Sequence, residues 1–530
     1  MEDQTGTVIT FVVYLAIMLA IGVWVYRHTN TLSDFVLGGR KLNSPTAALS
    51  ANASDMSSWL LMGLPGAAYV SGLAAGWIGV GLAVGLYLSW LIVAGRLRTY
   101  TAITTDVGTG KPADALTISA FFEHRFEDRS GLLRTASAVV IIVFYCIYVS
   151  SMLVATGVLF DQLFGIAAAT AMTIGVLAIV SYTFLGGFLA VSYTDVFQGL
   201  LMWFALLVVP VTALVTLGGP GSTIEQISDQ AAGLLGAATE VSFADGAWTQ
   251  VGTLGAIAVI SSLAWGFGYF GQPHILARFM GIRSADAVPL ARRISVTWSA
   301  TAMAFAVAVG LVGIAYYADS PLTGDGEQET VFIALTQDLL PAWLAGILLA
   351  AILAAIMSTA DSQLLVASSA LTEDIYRARI DKAAPAMRLV WIGRGTVIAV
   401  AVVAYLLALQ GGTVLELVAN AWAGFGASFG PVILLALFWR RFNWAGALAG
   451  LLGGALTVLI WPRIDTEGGW FDIGLYEMVP AVIISFVLAW LVNFAGPTPS
   501  ATVREDFAKA AAMAKPKRRR TPAEAERAEG

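Results

Sequence analysis

The chain has 530 residues, of which 58% are hydrophobic and only 12% are charged, and its formal net charge is −6. Soluble domains carry about 25% charged residues, so this composition excludes an ordinary soluble protein and predicts one that crosses a membrane several times. One cysteine and three histidines exclude an internal disulfide and a multi-cysteine metal site.

Apolar stretches of about 20 residues, the length that crosses a bilayer, recur from the amino terminus onward. The first follows Glu2 and Asp3 rather than basic residues, which predicts a retained span and not a cleaved signal peptide. The sequence therefore predicts an all-α polytopic membrane protein with about thirteen transmembrane helices. The predicted spans are 8–27, 45–70, 73–95, 133–159, 166–185, 190–217, 252–272, 294–317, 341–372, 388–409, 413–438, 443–461 and 477–496.

The distribution of Lys and Arg predicts the orientation of these spans. With the amino terminus placed outside, every Lys and Arg except Arg463 falls in an inner loop or in the tail. Because basic loops stay on the cytoplasmic side, we expect an external amino terminus and a cytoplasmic carboxyl terminus. We divide the chain into a membrane domain, 1–497, and a basic tail, 498–530, that we expect to be flexible. The "KPKRRR" run (515–520) is either a topogenic charge cluster or a site for anionic lipid headgroups.

The second predicted span contains "ANASDMSSWLLMGLPG" (51–66), which places Asp55, several hydroxyls and helix-breaking Gly and Pro at membrane depth. A charged residue at the bilayer centre costs at least about 2.5–3.5 kcal/mol, so Asp55 should face a cavity or a partner. An unwound stretch here would free the carbonyls of Ala53 and Met56 for a small hard cation. The alternative is a kinked helix whose polar side chains bond to neighbouring helices.

The same interruption would create the start of a second half-helix. The N–H groups of Ser57, Ser58 and Trp59 would lie at this start, which suits the carboxylate of an anionic substrate. One break in the helix would therefore hold both a cation and a substrate anion.

A second polar stretch, "ILAAIMSTADSQLL" (352–365), lies in the ninth predicted span. Ala355, Ser358 and Thr359 share one helix face by their spacing, so their carbonyl and hydroxyl oxygens would complete an oxygen cage around the cation. Asp361 lies off that face, which indicates a supporting or gating carboxylate. The alternative is a face of small residues that allows close helix packing.

Together with longer blocks elsewhere, these residues resemble the sodium/solute symporter family, and most closely its sodium/proline symporters. The resemblance runs from about Val8 to Pro497. The blocks that carry it are "DFVLGGRKL" (34–42), "ASDMSSWLLMGLPGA" (53–67), "GRLR" (95–98), "RFEDRS" (125–130), "YTFLGGFLAVSYTDVFQ" (182–198), "GYFGQPHILARFM" (268–280), "ILAAIMST" (352–359) and "AWAGFGASFGP" (421–431).

The resemblance implies a LeuT-like fold of two inverted five-helix repeats. Here the repeats would cover roughly 45–217 and 252–438, with one extra helix before them and two after. The family's sodium site matches Ala53, Met56, Ala355, Ser358 and Thr359, and its important acidic residue matches Asp55. Its proline pocket matches Ser57, Trp59, Tyr148, Trp265, Tyr269 and Pro273.

The spacing of the pocket residues on the seventh span supports a shared helix face without the resemblance. Trp265, Tyr269 and Pro273 follow at intervals of four, so a continuous helix would present all three on one face. The alternative is an interfacial belt of Trp and Tyr at a span end. Asp195 is a candidate for the inner ion path or a simple helix cap. Arg40 is a topogenic charge, to which the resemblance adds a role in coupling.

The chain departs from the family pattern at Asn52 and Ser58, where glycine is usual. A side chain at position 58 would narrow the approach to the half-helix N-terminus.

From these observations we expect sodium-coupled uptake of L-proline across the plasma membrane by alternating access. Na⁺, L-proline and the lipid bilayer are the expected partners; we expect neither nucleic-acid binding nor enzyme activity, since no nucleophile–base constellation is present. The alternatives are a sodium symporter for another small organic solute and a membrane sensor that binds a solute without moving it.

Overall fold

The computed structural model describes residues 2–26, 37–106, 109–111, 113–183, 188–324, 326–466 and 468–514. The start of the "DFVLGGRKL" block, part of the "YTFLGGFLAVSYTDVFQ" block and the "KPKRRR" run lie outside these residues. In the first half the helices are α1 (Glu2–Tyr26), α2 (Ser44–Asp55), α3 (Leu64–Ser71), α4 (Gly76–Leu88), α5 (Gly95–Ile103), α6 (Ile118–Phe126), α7 (Leu132–Phe164), α8 (Ala168–Thr183), α9 (Phe188–Thr216) and α10 (Pro220–Gln230).

A two-stranded hairpin separates the two halves of the chain. Its strands are β1 (Thr239–Ala244) and β2 (Ala247–Thr253), which pair antiparallel. In the second half the helices are α11 (Ala256–Ala264), α12 (Pro273–Gly281), α13 (Val288–Tyr316), α14 (Val331–Leu339), α15 (Ala342–Ser369), α16 (Ala386–Ala408), α17 (Val414–Phe438), α18 (Trp444–Ile464), α19 (Met478–Ala495) and α20 (Ala501–Met513).

The described residues are mostly helical, and many of the helices are apolar on their outer surface. Nine of them are long and apolar enough to cross a membrane, and three shorter apolar helices accompany them within the described part of the chain. Each of the thirteen predicted spans overlaps one of these helices or the broken element α2–α3. Large apolar side chains such as Val215 and Phe494 are well exposed, which is what contact with lipid tails allows.

The hairpin lies between the sixth and seventh predicted spans, where we assigned no secondary structure from the sequence. Its turn residues Asp245 and Gly246 both have positive φ, at 51° and 77°. This conformation matches a two-residue turn of the kind that Asp-Gly favours. The dipeptide in "FADGAW" is therefore the signal that the sequence offered for this hairpin.

The segment after residue 497 also differs from the flexible tail that we expected, because 501–513 forms α20. The Ser500 hydroxyl caps this helix by accepting from the Val503 N–H at 3.2 Å. Asp506 accepts from the Thr105 N–H at 2.9 Å, and Phe507 lies edge-on to Tyr100 of α5. The first part of the tail is thus held against the membrane domain.

Candidate functional site

The predicted interruption of the second span is present in the structure. Helix α2 ends at Asp55, and Met56 adopts φ −77° and ψ 72°, outside the helical region. The chain turns at Ser57, whose N–H donates to the Asp55 carbonyl at 2.9 Å. A wide π-type turn, Trp59–Gly63, then leads into α3. Backbone groups are thereby released from the regular helical ladder in the buried core.

Helix α15 lies against the end of α2 and brings oxygen atoms to the break. The Ser358 hydroxyl donates to the Ala53 carbonyl at 2.7 Å and lies 3.2 Å from the Ala355 carbonyl. The neighbouring Thr359 hydroxyl is fully buried and makes no hydrogen bond to any of the described residues. This cluster of neutral oxygens is the ligand set that a hard cation prefers. Hydrogen bonding joins three of the five predicted sodium ligands, Ala53, Ala355 and Ser358. Thr359 follows Ser358 in the chain, and Met56 lies at the adjacent break.

Asp55 lies at the same place and is almost fully buried. Its Oδ2 accepts a hydrogen bond of 2.5 Å from the Tyr269 hydroxyl, while its Oδ1 accepts none from the described residues. The Asp55 carbonyl accepts from the Trp59 indole at 3.1 Å and the Tyr148 hydroxyl at 3.4 Å. A buried carboxylate with one donor is costly unless a positive charge is near, so a cation beside Asp55 would lower that cost.

Aromatic side chains form a wall next to the second half-helix. The Trp59 and Trp265 rings lie 6.3 Å apart, and Trp265 stacks on Tyr476 at 5.5 Å. The Trp422 indole donates to the Trp265 carbonyl at 2.7 Å and lies edge-on to Tyr269. Tyr476 and Trp422 were missed from the sequence, since nothing in their local pattern distinguishes them from core aromatics.

Close backbone contact positions the segment that carries Trp265. A Cβ atom on Gly85 of α4 would lie 1.9 Å from the Gly266 carbonyl oxygen, and one on Gly266 would lie 2.0 Å from the Gly81 carbonyl oxygen. No side chain fits between the two backbones, so these glycines set the distance between α4 and the aromatic segment.

Comparison with known proteins assigns the family. A model of the sodium:solute symporter family matches residues 35–454, which is most of the chain. The chain belongs to the sodium:solute symporter family. It is therefore a multi-pass membrane transporter with Na⁺ as the coupled ion, and it is not an enzyme.

Relatives of this symporter align over nearly its whole length. The sodium/proline symporter of Escherichia coli is 46% identical over 514 residues, which cover 96% of this chain and 97% of the relative. The high-affinity proline transporter of Bacillus subtilis is 45% identical and covers 92% of this chain and 98% of its own. The sodium/proline symporter of Staphylococcus aureus is 41% identical over 95% of both chains.

A solved structure with the same fold is that of a Na⁺-coupled sialic acid symporter in a substrate-bound, outward-open state. It matches with a TM-score of 0.75 at 20% identity and covers 93% of this chain and 99% of its own. The expected LeuT-like fold is thereby confirmed, and it is mostly helical with one added β-hairpin. The count of thirteen spans is consistent with the helices and remains a prediction.

The symporter also contains a buried ion pair that the sequence did not lead us to expect. Arg278 of α12 contacts Asp195 of α9 at 3.1 Å, and both side chains are fully buried. The Ser50 hydroxyl donates to the same Asp195 oxygen at 2.6 Å, and Arg278 donates to the Ser362 hydroxyl at 2.6 Å. Asp195 is therefore not a simple helix cap. The single charge in the apolar "HILARFM" run was the available signal.

Arg40 makes a second set of polar contacts just before the amino-terminal end of α2, which is the end remote from the break. It has a positive φ of 55°, a conformation that costs about 1–2 kcal/mol for a residue with a side chain. Its guanidinium donates to Asp114 at 2.9 Å and to the Met280 carbonyl at 2.9 Å. It also donates to Thr101 Oγ1 at 3.0 Å and to the Ala115 carbonyl at 2.9 Å. Arg40 thus ties the entry to α2 to α5 and α12.

The seventh span departs from the predicted continuous helix. Residues Trp265–Phe270 form a 3-10 helix, and a new helix begins at Pro273. Three residues per turn and a break at Gly271 remove the single face that the spacing of four required. Pro273 lines a cavity of about 30 Å³ together with Thr117 and Asp374. Pro273 and Trp265 therefore do not share one helix face, and the spacing argument for Pro273 as a substrate-binding residue fails.

The two departures from the family pattern have different surroundings. The Asn52 side chain donates to the Ser295 carbonyl at 2.9 Å and accepts from the Ser295 hydroxyl at 2.5 Å. Ser58 donates to the Met152 sulfur at 3.8 Å. Asn52 is thus hydrogen-bonded to Ser295 of α13, whereas the Ser58 hydroxyl points toward Met152 of α7.

Proposed function

We propose that this symporter carries L-proline into the cell together with Na⁺ by alternating access. The observation that supports this most is the 2.7 Å bond between the Ser358 hydroxyl and the Ala53 carbonyl, which joins two segments that lie 305 residues apart in the chain. The full-length similarity to sodium/proline symporters supports the choice of solute.

The sodium ion would bind between the break in α2 and the polar face of α15. The Ser358 hydroxyl, which donates to the Ala53 carbonyl in this structure, would turn its proton away so that both oxygens face the ion. The carbonyls of Ala53, Met56 and Ala355 and the hydroxyls of Ser358 and Thr359 would supply five oxygens. Asp55 would remain outside this shell, and its carboxylate would stabilise the ion by electrostatic attraction because the two would lie close together.

Proline would bind on the other side of the break. The N–H groups of Ser58 and Trp59 begin the second half-helix and suit the carboxylate. The Ser57 N–H would join them by leaving the Asp55 carbonyl, to which it donates in this structure. The flat rings of Trp59 and Trp265 suit the apolar face of the pyrrolidine, and an aromatic face near the ammonium adds a cation–π contact. Tyr148, whose hydroxyl lies 3.4 Å from the Asp55 carbonyl, closes this space from α7.

Tyr269 provides the physical link between the two ligands. It lies on the segment that carries Trp265, and its hydroxyl bonds to Asp55 at 2.5 Å. Sodium beside Asp55 would fix this carboxylate and with it Tyr269, so that substrate meets an ordered pocket. If bound sodium raises the affinity for the substrate in this way, linkage requires bound substrate to raise the affinity for sodium by the same factor.

We assign supporting roles to the other charged residues and propose the arrangement in the membrane. Asp195, Asp361 and Arg40 would tune coupling rather than contact the solute. The amino terminus would lie outside and the carboxyl terminus in the cytoplasm, because basic residues concentrate on one side. The inverted repeats would cover roughly 45–217 and 252–438.

Uptake by the purified protein in liposomes tests this function. A sodium gradient should drive accumulation of labelled L-proline, and an equal proton gradient in sodium-free buffer should not. Unlabelled proline should compete better than other amino acids, carboxylates or amines. Sodium-driven uptake that excess proline does not reduce would assign another solute, and binding without accumulation would assign a sensor.

A further inference from the structure

An apolar cavity of about 220 Å³ lies between α1, α7, α8 and α15, away from the substrate site. No polar surface lines it, and the Thr156 hydroxyl at its wall is satisfied by the Met152 carbonyl at 2.8 Å. Water needs polar partners in such a space, and a zwitterionic amino acid needs more. The lining therefore excludes water and the transported solute as stable occupants.

The cavity opens toward the surface that faces lipid. Val8 and Val12 of α1 and Ile174 of α8 line it and are 45%, 60% and 44% exposed. Phe11 and Ile356, which also line it, are buried. The space thus runs from an apolar outer surface to the protein core, in the half of the membrane nearer the start of α1.

We propose that an acyl chain of a bilayer lipid occupies this cavity. An apolar cavity of about 150 Å³ is known to bind benzene, so this larger one accommodates a segment of hydrocarbon chain. An empty cavity leaves its wall atoms without dispersion contacts, and lipid tails are the apolar molecules present at its mouth. The bound chain fills the gap that the four helices leave.

The inner end of the cavity lies on the back of the helix that carries sodium ligands. Met357, which lines the cavity, is adjacent to Ser358, whose hydroxyl faces α2. A lipid tail in the cavity therefore supports α15 from the side opposite the proposed ion. This part of the inference rests on the proposed function, whereas occupancy by lipid does not.

Photocrosslinking tests the occupancy. The full chain is reconstituted in vesicles of phosphatidylethanolamine and phosphatidylglycerol that contain a phosphatidylglycerol with a diazirine on its acyl chain. After illumination, peptide mass spectrometry should find adducts on the cavity residues Phe11 and Ile356, which are buried from bulk lipid. Adducts confined to exposed residues such as Leu177 would overturn the proposal.

Two substitutions make the test specific. Ala178→Phe fills the cavity from α8, and Ile174→Trp covers its mouth at a position exposed to lipid, where a larger side chain leaves folding intact. Both should lose the buried adducts, while Ala258→Phe on the exposed face of α11 should keep them. Persistence of these adducts in both cavity variants would refute the site.

The link to sodium is measured in the same vesicles. The half-saturating sodium concentration for uptake should differ between straight-chain and methyl-branched lipids in the parent and in Ala258→Phe. It should not differ in Ala178→Phe. Absence of uptake would count against the proposed function and leave the adduct result intact. If the half-saturating sodium concentration depended on the lipid equally in Ala178→Phe and Ala258→Phe, the lipid tail would not support α15.

Discussion

Replacement of Thr359 by valine tests the proposed sodium site with little change in shape. The Thr359 hydroxyl is buried and makes no hydrogen bond within the described residues. Its removal therefore breaks no hydrogen bond among these residues, and it removes an unpaired buried polar group, which costs about 1–3 kcal/mol. We therefore expect Thr359→Val to leave the free energy of unfolding unchanged or to increase it.

The same substitution removes one proposed ligand of the ion. An interaction of a hydroxyl with a charged group contributes about 1.5–3 kcal/mol, and about 1.4 kcal/mol corresponds to a tenfold change in an equilibrium constant. The half-saturating sodium concentration should therefore rise about 10- to 100-fold. Proline uptake into proteoliposomes, measured against sodium at saturating proline, gives this value directly.

Thr336→Val is the matched control, because that buried hydroxyl donates to the Phe332 carbonyl of its own helix at 2.6 Å. It should leave the sodium dependence unchanged. If Thr359→Val protein of normal abundance retained the sodium dependence of the parent, Thr359 would be removed from the ligand set.

Three further substitutions address the pocket and the buried polar contacts. Trp265→Ala should raise the half-saturating proline concentration about tenfold, as loss of a central aromatic does, with sodium dependence largely kept; an unchanged value in the uptake assay would remove Trp265 from the pocket. Arg278→Met leaves Asp195 buried without its cation, which should cost about 3–5 kcal/mol of stability; the melting temperature in detergent should fall and partly recover when Asp195→Asn is added, and no recovery would argue against the pair. Asn52→Gly should cost about 1–3 kcal/mol by leaving the Ser295 hydroxyl without its acceptor, and the loss should shrink in the Ser295→Ala background; additive melting shifts would contradict this coupling.

Local sequence was sufficient to find the broken helix and its partner. A carboxylate, hydroxyls, glycine and proline within one apolar span indicate a break, because each disfavours an ordinary lipid-facing helix. The polar face of α15 followed from spacing alone, since Ala355, Ser358 and Thr359 recur at helical intervals. The oxygen chemistry of the two segments suggested that they share one cation, and the resemblance to a known family implied the same pairing.

The contacts that were missed depend on tertiary packing. Asp195 and Arg278 are 83 residues apart, and no local pattern shows that α9 and α12 bring them together. The helical face predicted for Trp265 and Pro273 was wrong because the glycine-rich chain winds as a 3-10 helix and then breaks. The docking of α20 was detectable in principle, since Val503, Phe507 and Ala510 recur at helical spacing.

The contact between Gly85 and Gly266 has a consequence for the transport cycle. Two backbones in direct contact leave no compressible side-chain layer, so α4 and the segment that bears Trp265 should travel as one rigid unit. Spin labels on these two elements should report a constant separation in every state of the cycle. Opening and closing must then come from movement of this unit against its surroundings, with the sliding surfaces elsewhere in the molecule.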